Sequence, residues 1–199
     1  MTVTFQPNAA GIPANYIDPG TQFAAGGTTL DFTIPVGGTL ATLAQNGAIQ
    51  QGTTAGTIIV TITSLLSGTT PVVLPNPQPS LSVTIGRLAP VIAAGTITGL
   101  SSTGFNVELD AYSTPRDLAS LTFTFQAASG AKLNGEDPPP VALNSVAPAW
   151  FSSTSGLQNG GSFHLKVPFT FNGDTKALGS VTVSLSNSVG PSTSVNVTF

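Results

Sequence analysis

Apolar and polar residues alternate along most of this chain with a period of two. Phe163, Leu165, Val167, Phe169 and Phe171 occupy the odd positions of one segment; His164, Lys166, Pro168 and Thr170 occupy the even ones. In another, Phe105, Val107, Leu109 and Ala111 share one face while Asn106, Glu108 and Asp110 share the other. The pattern recurs over 121–125, 181–185 and 195–199. It also groups Val3 with Phe5, Leu30 with Phe32 and Ile34, Ile58 with Val60 and Ile62, and Leu81 with Val83 and Ile85. Residues i and i+2 of an extended chain lie on one side, so each segment predicts a strand with one dry and one wet face. Strands of that kind make antiparallel sheets that pack in pairs.

Turn formers separate the segments. Asn46-Gly47, Asn134-Gly135, Asn159-Gly160 and Asn172-Gly173 accept positive φ and predict tight reversals. The proline clusters at 75–79 and 138–140 would cost a ladder its donors, so they predict loops or edge crossings. About a dozen short strands at this spacing point to an all-β sandwich protein.

The segments also repeat. Val3-Thr4-Phe5-Gln6 aligns with Phe123-Thr124-Phe125-Gln126, and the stretch 26–35 aligns with 160–168. Residues 56–63 align with 179–186, and Ser82-Val83-Thr84-Ile85 aligns with Ser194-Val195-Asn196-Val197. Four blocks in one order indicate two copies of one unit. The copies are unequal, because the strands predicted at 90–98 and 104–113 have no counterpart ahead of Val3. Three explanations stay open: the sequence begins inside a repeat, a neighbouring chain donates the missing strands, or residues 6–29 and 36–55 fold back to supply them.

Tyr112-Ser113-Thr114-Pro115-Arg116, Trp150-Phe151 and the run Pro168-Phe169-Thr170-Phe171-Asn172-Gly173-Asp174-Thr175 carry a likeness to known sequences. With the blocks above, the chain resembles the C-terminal Ig-like repeats of large secreted acidobacterial proteins of the Solibacter type. The resemblance implies a secreted or cell-surface setting and supplies no ligand. The expected fold is therefore two tandem Ig-like antiparallel β-sandwich domains. The first spans residues 1–87, incomplete at its N-terminal side and lacking its two leading strands; the second spans 88–199 and is complete.

Composition narrows the function. Only 7% of the residues are charged, against roughly 25% in an average domain, so hydroxyls and amides must keep the surface wet. Five basic residues and a net charge of −3 give no footprint for nucleic acid or anionic membranes. No apolar run approaches the roughly 20 residues of a spanning helix. Cysteine is absent, which removes disulfides, thiolate chemistry and Cys-based metal sites. Residues 1–20 lack a basic start and an apolar core, so any export signal is expected upstream.

Candidate chemistry is sparse. His164 is the sole histidine, predicted on an outer strand face beside Lys166, and no Gly-x-Ser-x-Gly elbow accompanies it. Glu108 and Asp110 share an outward face, and Glu136-Asp137 lies in a proline-rich loop. Neither pair forms a calcium loop, so both are expected to be solvated charges. Arg116 and Asp117 are expected to pair with these acids for little energy. Lys132, Lys166 and Lys176 are not at inward strand positions, which argues against an isopeptide crosslink. Trp150 and Phe151 are the one candidate for ligand or partner contact, weighed against a plug at the end of the core. No catalytic, cofactor-binding or metal-ligating residue is identified, and no cofactor is expected.

The expected function is a non-enzymatic extracellular structural module, a spacer or scaffold repeat of a surface protein or filament, with strand donation as a possible mode of assembly. Its partners would be neighbouring repeats of the same or an identical chain. The alternative is an adhesin-type module for surface polysaccharide or protein, using Trp150, Phe151 and the loops.

Overall fold

The computed structural model describes residues 1–9, 12–13 and 15–199; positions 10, 11 and 14 lie outside the described residues. The protein is all-β, with two short α-helices among the described residues. Strands β1 (Thr2–Pro7), β2 (Gly56–Thr61) and β3 (Ser80–Ile85) form an antiparallel sheet with β2 in the middle. Seven further strands follow: β4 (Val91–Thr98), β5 (Gly104–Tyr112), β6 (Ser120–Ala127), β7 (Val141–Ala142), β8 (Ser162–Thr170), β9 (Leu178–Ser186) and β10 (Val195–Thr198). They pair as β4-β5-β8 and β7-β6-β9-β10.

The last two sheets close on each other because the apolar set of each strand faces inward. Val107 and Leu109 of β5 are buried in one cluster with Leu121 and Phe123 of β6, Val181, Val183 and Leu185 of β9, and Val197 of β10. At one end Phe105 stacks on Phe169 at 5.2 Å and meets Phe199 edge-on at 4.8 Å, the geometries that ring quadrupoles favour. This is a β-sandwich.

The N-terminal sheet has its own apolar cluster, in which Val3, Phe5 and Ile58 are covered by Tyr16, Phe23 and Leu30. The intervening segments thus fold back over β1 and β2. They do so through two-residue pairings, Gln22–Phe23 with Ile49–Gln50 and Phe32–Thr33 with Thr42–Leu43, not as a second full sheet. Leu30, Phe32 and Ile34 do not form the continuous strand that their alternation suggests. Leu30 is buried, Ile34 is exposed, and Thr28 and Leu30 hydrogen-bond the outer edge of β1. The aligned segment β8 pairs instead with β5. With no such strand beside it, the earlier segment satisfies its backbone groups on β1.

The helices are α1 (Ala147–Ser152) and α2 (Thr154–Gln158). Pro148 opens α1, where a missing N–H costs nothing. Ser153 ends α1 and caps α2, its hydroxyl accepting from the Gly156 N–H at 3.0 Å. Asn159-Gly160 therefore does not make the hairpin reversal expected of it. Asn159 caps α2, and Gly160 takes the left-handed conformation (φ 62°) that releases the chain into β8.

Candidate functional site

Trp150 and Phe151 are neighbours on α1 with opposite surroundings. Phe151 is 3% exposed in the sandwich core, edge-on to Phe163 at 6.0 Å. Trp150 is half-buried and borders an open groove of about 350 Å³ shared with Tyr112, Asp110, Asn159 and His164. Helical spacing explains the split: consecutive residues point roughly 100° apart, so α1 can give one ring to the core and the other to the surface.

His164 lies across from Asp110 on the outer face of β8 and β5. Its Nδ1 is 2.9 Å from the Asp110 carboxylate and its Nε2 is 3.6 Å from that of Glu108. The first is a hydrogen bond and the second an ion-pair separation, so the ring stands between two carboxylates. Glu108 accepts from Lys166 Nζ at 2.9 Å and from the Thr98 hydroxyl at 2.7 Å. The Lys166 bond, then that from Thr98, hold its carboxyl below the ordinary range. Lys132 and Lys176 are exposed. Asp137 accepts from the Phe125 N–H at 2.8 Å, and so caps a backbone group of β6. Among the described residues no group of three or more His, Asp or Glu could hold a metal ion. No helix among them is long and apolar enough to cross a membrane.

The densest polar arrangement is elsewhere, and the sequence reading misplaced its central residue. Arg116 does not pair with Glu108 or Asp110. It is 3% exposed, at the place where the N-terminal sheet meets the sandwich. The turn Ser113-Thr114-Pro115-Arg116 closes with the Arg116 N–H on the Ser113 carbonyl, and Arg116 takes a left-handed φ of 57°. A non-glycine residue held there is strained by about 1–3 kcal/mol and persists only where its surroundings hold it. Here they do. The guanidinium donates to the carbonyls of Phe151, Gly156 and Gly160, and to the Tyr16 hydroxyl at 3.3 Å. The Tyr16 and Phe151 rings lie 5.2 Å from its carbon. A planar five-donor cation suits several carbonyls and two rings at once.

Of these bonds only that to Tyr16 joins the two halves, which exchange others around it. Tyr16 donates to the Leu157 carbonyl at 3.2 Å, the Ala55 N–H to the Thr114 carbonyl at 2.7 Å, and the Gly161 N–H to the Thr53 hydroxyl at 2.8 Å. Asp18, buried, accepts from the Gly20 and Thr54 N–H groups at 2.9 and 2.8 Å and presents negative charge toward Arg116. Burial raises the Tyr16 phenol above its ordinary pKa and lowers Arg116 below its own. At the connection, Asn187 donates to the Leu88 carbonyl at 2.8 Å and to the Ser113 hydroxyl at 3.0 Å. Asp117, also expected beside the sheet acids, instead lies 3.5 Å from Arg87. One signal in the sequence bears on Arg116: an arginine in a chain with so few cations, placed directly after a turn-forming Thr-Pro.

No protein-family model, curated protein or solved structure matches the chain.

Proposed function

We propose that the protein is a non-enzymatic structural module of a secreted or cell-surface protein, two Ig-like units in tandem that act as a rigid spacer. The observation that carries this reading is the buried Arg116 clasp. A flexible linker would leave the halves to move independently, whereas here Tyr16 of one half closes over a buried cation of the other, accepting from Arg116, facing its guanidinium with its ring and donating to the Leu157 carbonyl. The strand order β4-β5-β8 facing β7-β6-β9-β10 supports an Ig-like reading of the sandwich. The resemblance to acidobacterial surface repeats supports its location. A weakly charged surface and a lone histidine held between carboxylates support a role without turnover.

Rigidity is measurable, and the absence of cysteine makes site-specific labelling simple. Spin labels on T4C and T124C, exposed positions on β1 and β6, should give one narrow distance distribution by double electron–electron resonance. A broad or bimodal distribution would remove the rigid-spacer reading.

A second reading, binding of surface polysaccharide, rests on the Trp150 groove. There an indole and a phenol border Asp110 and Asn159, the mixture of ring faces and planar polar groups that takes up a sugar. Retention on polysaccharide that is lost in Trp150→Ala would favour it over the spacer.

A further inference from the structure

The dry side of the N-terminal sheet is covered only in part. Under the repeat alignment β1 and β2 correspond to β6 and β9; β3 and β10 correspond through their ladder register, which matches Val83 with Val197, two residues beyond its place in the sequence alignment. Phe5 faces Ile58 as Phe125 faces Val181, and Ile58 faces Val83 as Val181 faces Val197. The segments between β1 and β2 lie over Val3, Phe5 and Ile58. Beyond them, on β3, Leu81 is 67% exposed and Val83 39%. The counterpart of Val83 in the sandwich, Val197, is 5% exposed.

What makes that difference is β4. It crosses β10 and brings Gly95 so close to Val197 that a Cβ at that position would stand 2.7 Å from the valine methyl. Ile92 and Ile97, on either side, pack into the same core. The protein thus contains both an uncovered sheet face and, on the corresponding face, the strand that covers it. β3 also lacks the devices that keep sheet edges solitary, since Ser80–Ile85 holds no charge and no proline.

We infer that the Leu81 and Val83 face of β3 is a docking site for one extended segment with the pattern of β4, apolar residues flanking a small one, supplied by another repeat of the same kind. The guest lies across the face in a second layer, its glycine or alanine pressed on Val83 and its branched residues beside Leu81 and Ile85. This rests on the two-unit reading above, but its test is separate. The spin-label distances report the junction at Arg116, whereas docking at β3 is read by titration.

The probe is a fluorescein-labelled peptide of residues 88–99, titrated with the intact chain and followed by anisotropy. Saturable binding is expected. Leu81→Lys should weaken it at least tenfold while leaving the melting temperature unchanged, since Leu81 is already exposed. A peptide with Gly95→Val should also bind at least tenfold more weakly, because the added methyls meet the sheet. Lys132→Ala, at an exposed residue of the sandwich, should bind as the parent does. Added peptide should slow hydrogen exchange of the β3 amides. Absence of saturable binding, equal binding by Leu81→Lys, or a dimer formed through β3 that excludes the peptide would each overturn the inference.

Discussion

Replacing Arg116 by alanine removes a cation whose partners cannot all reach water. The Phe151, Gly156 and Gly160 carbonyls lose their donor. A buried polar group left unpaired costs about 1–3 kcal/mol, and because the latter two share one guanidinium nitrogen, the lower end of that range applies. Loss of the cation from the Tyr16 and Phe151 faces adds roughly 0.5–1 kcal/mol each. The guanidinium no longer has to be desolvated, which offsets part of this. The net is about 3–5 kcal/mol, the usual cost of breaking a buried charged arrangement by removing one partner. For a chain of 199 residues each kcal/mol moves Tm by roughly 2–4 °C, so the fall should be roughly 6–20 °C.

Urea unfolding followed by tryptophan fluorescence gives the free energy, and Trp150 adjoins the clasp. The spin-label pair supplies an independent readout, because Arg116→Ala should also broaden the distance distribution between T4C and T124C. Arg116→Lys should fall between parent and alanine. It keeps the charge, but a single ammonium cannot serve acceptors spread over two nitrogens and stack between two rings. A loss below about 1 kcal/mol with the distance distribution unchanged would refute the clasp as the source of rigidity.

Three further predictions test neighbouring parts. Gly161→Ala would place a Cβ 2.4 Å from the Thr53 carbonyl oxygen and 2.6 Å from that of Ser113, both backbone; the halves must part, and urea unfolding should show a loss of about 1–3 kcal/mol. Phe151→Ala should cost about 3–5 kcal/mol, while Trp150→Ala, at a half-buried ring with an unpaired indole N–H, should cost less than half as much, both read by urea unfolding followed by circular dichroism because Trp150 is the sole tryptophan. For Glu108, a folded pKa below the ordinary value means that its contribution to stability is present above that value and lost as pH falls through the folded one; in Lys166→Met, carbon-detected NMR should show the Glu108 carboxyl titrating closer to its ordinary value of 4.5.

The strands were legible because alternation is a local signal. Val107, Leu109, Val181 and Val183 sit inside for the reason that made them stand out along the chain. The outward placement of Glu108, Asp110, His164 and Lys166 follows from the same parity. What parity cannot convey is which surface is later covered. Arg116 reads as a solvated cation after a turn, and it is buried by α1, α2 and Tyr16, the last of them a hundred residues earlier. Leu30 and Ile34 failed for a related reason: alternation assumes a neighbouring strand, and where none stands the backbone goes to the edge of β1. The helices at Trp150 and Phe151 escaped because eleven residues in two short turns, split by Ser153, are too few to show a 3.6-residue period.

The scarcity of charge gives the junction its weight. Of five basic and eight acidic side chains, Arg87, Arg116, Asp18 and Asp117 stand where the two halves meet. Glu108, Asp110 and Lys166 gather with His164 on one sheet face. Hydroxyls wet much of the remaining strand surface, and hydroxyl hydrogen bonds are insensitive to salt. The Debye length is about 10 Å at 0.1 M ionic strength and shrinks as salt is added, which weakens exposed pairs far more than buried ones. Arg87–Asp117, partly exposed, contributes little and weakens further in salt. Arg116, sealed under Tyr16, is shielded from counterions. Rigidity between the halves should therefore persist from dilute buffer to molar salt, and a distance distribution that broadens with added sodium chloride would place the holding force at Arg87–Asp117 instead.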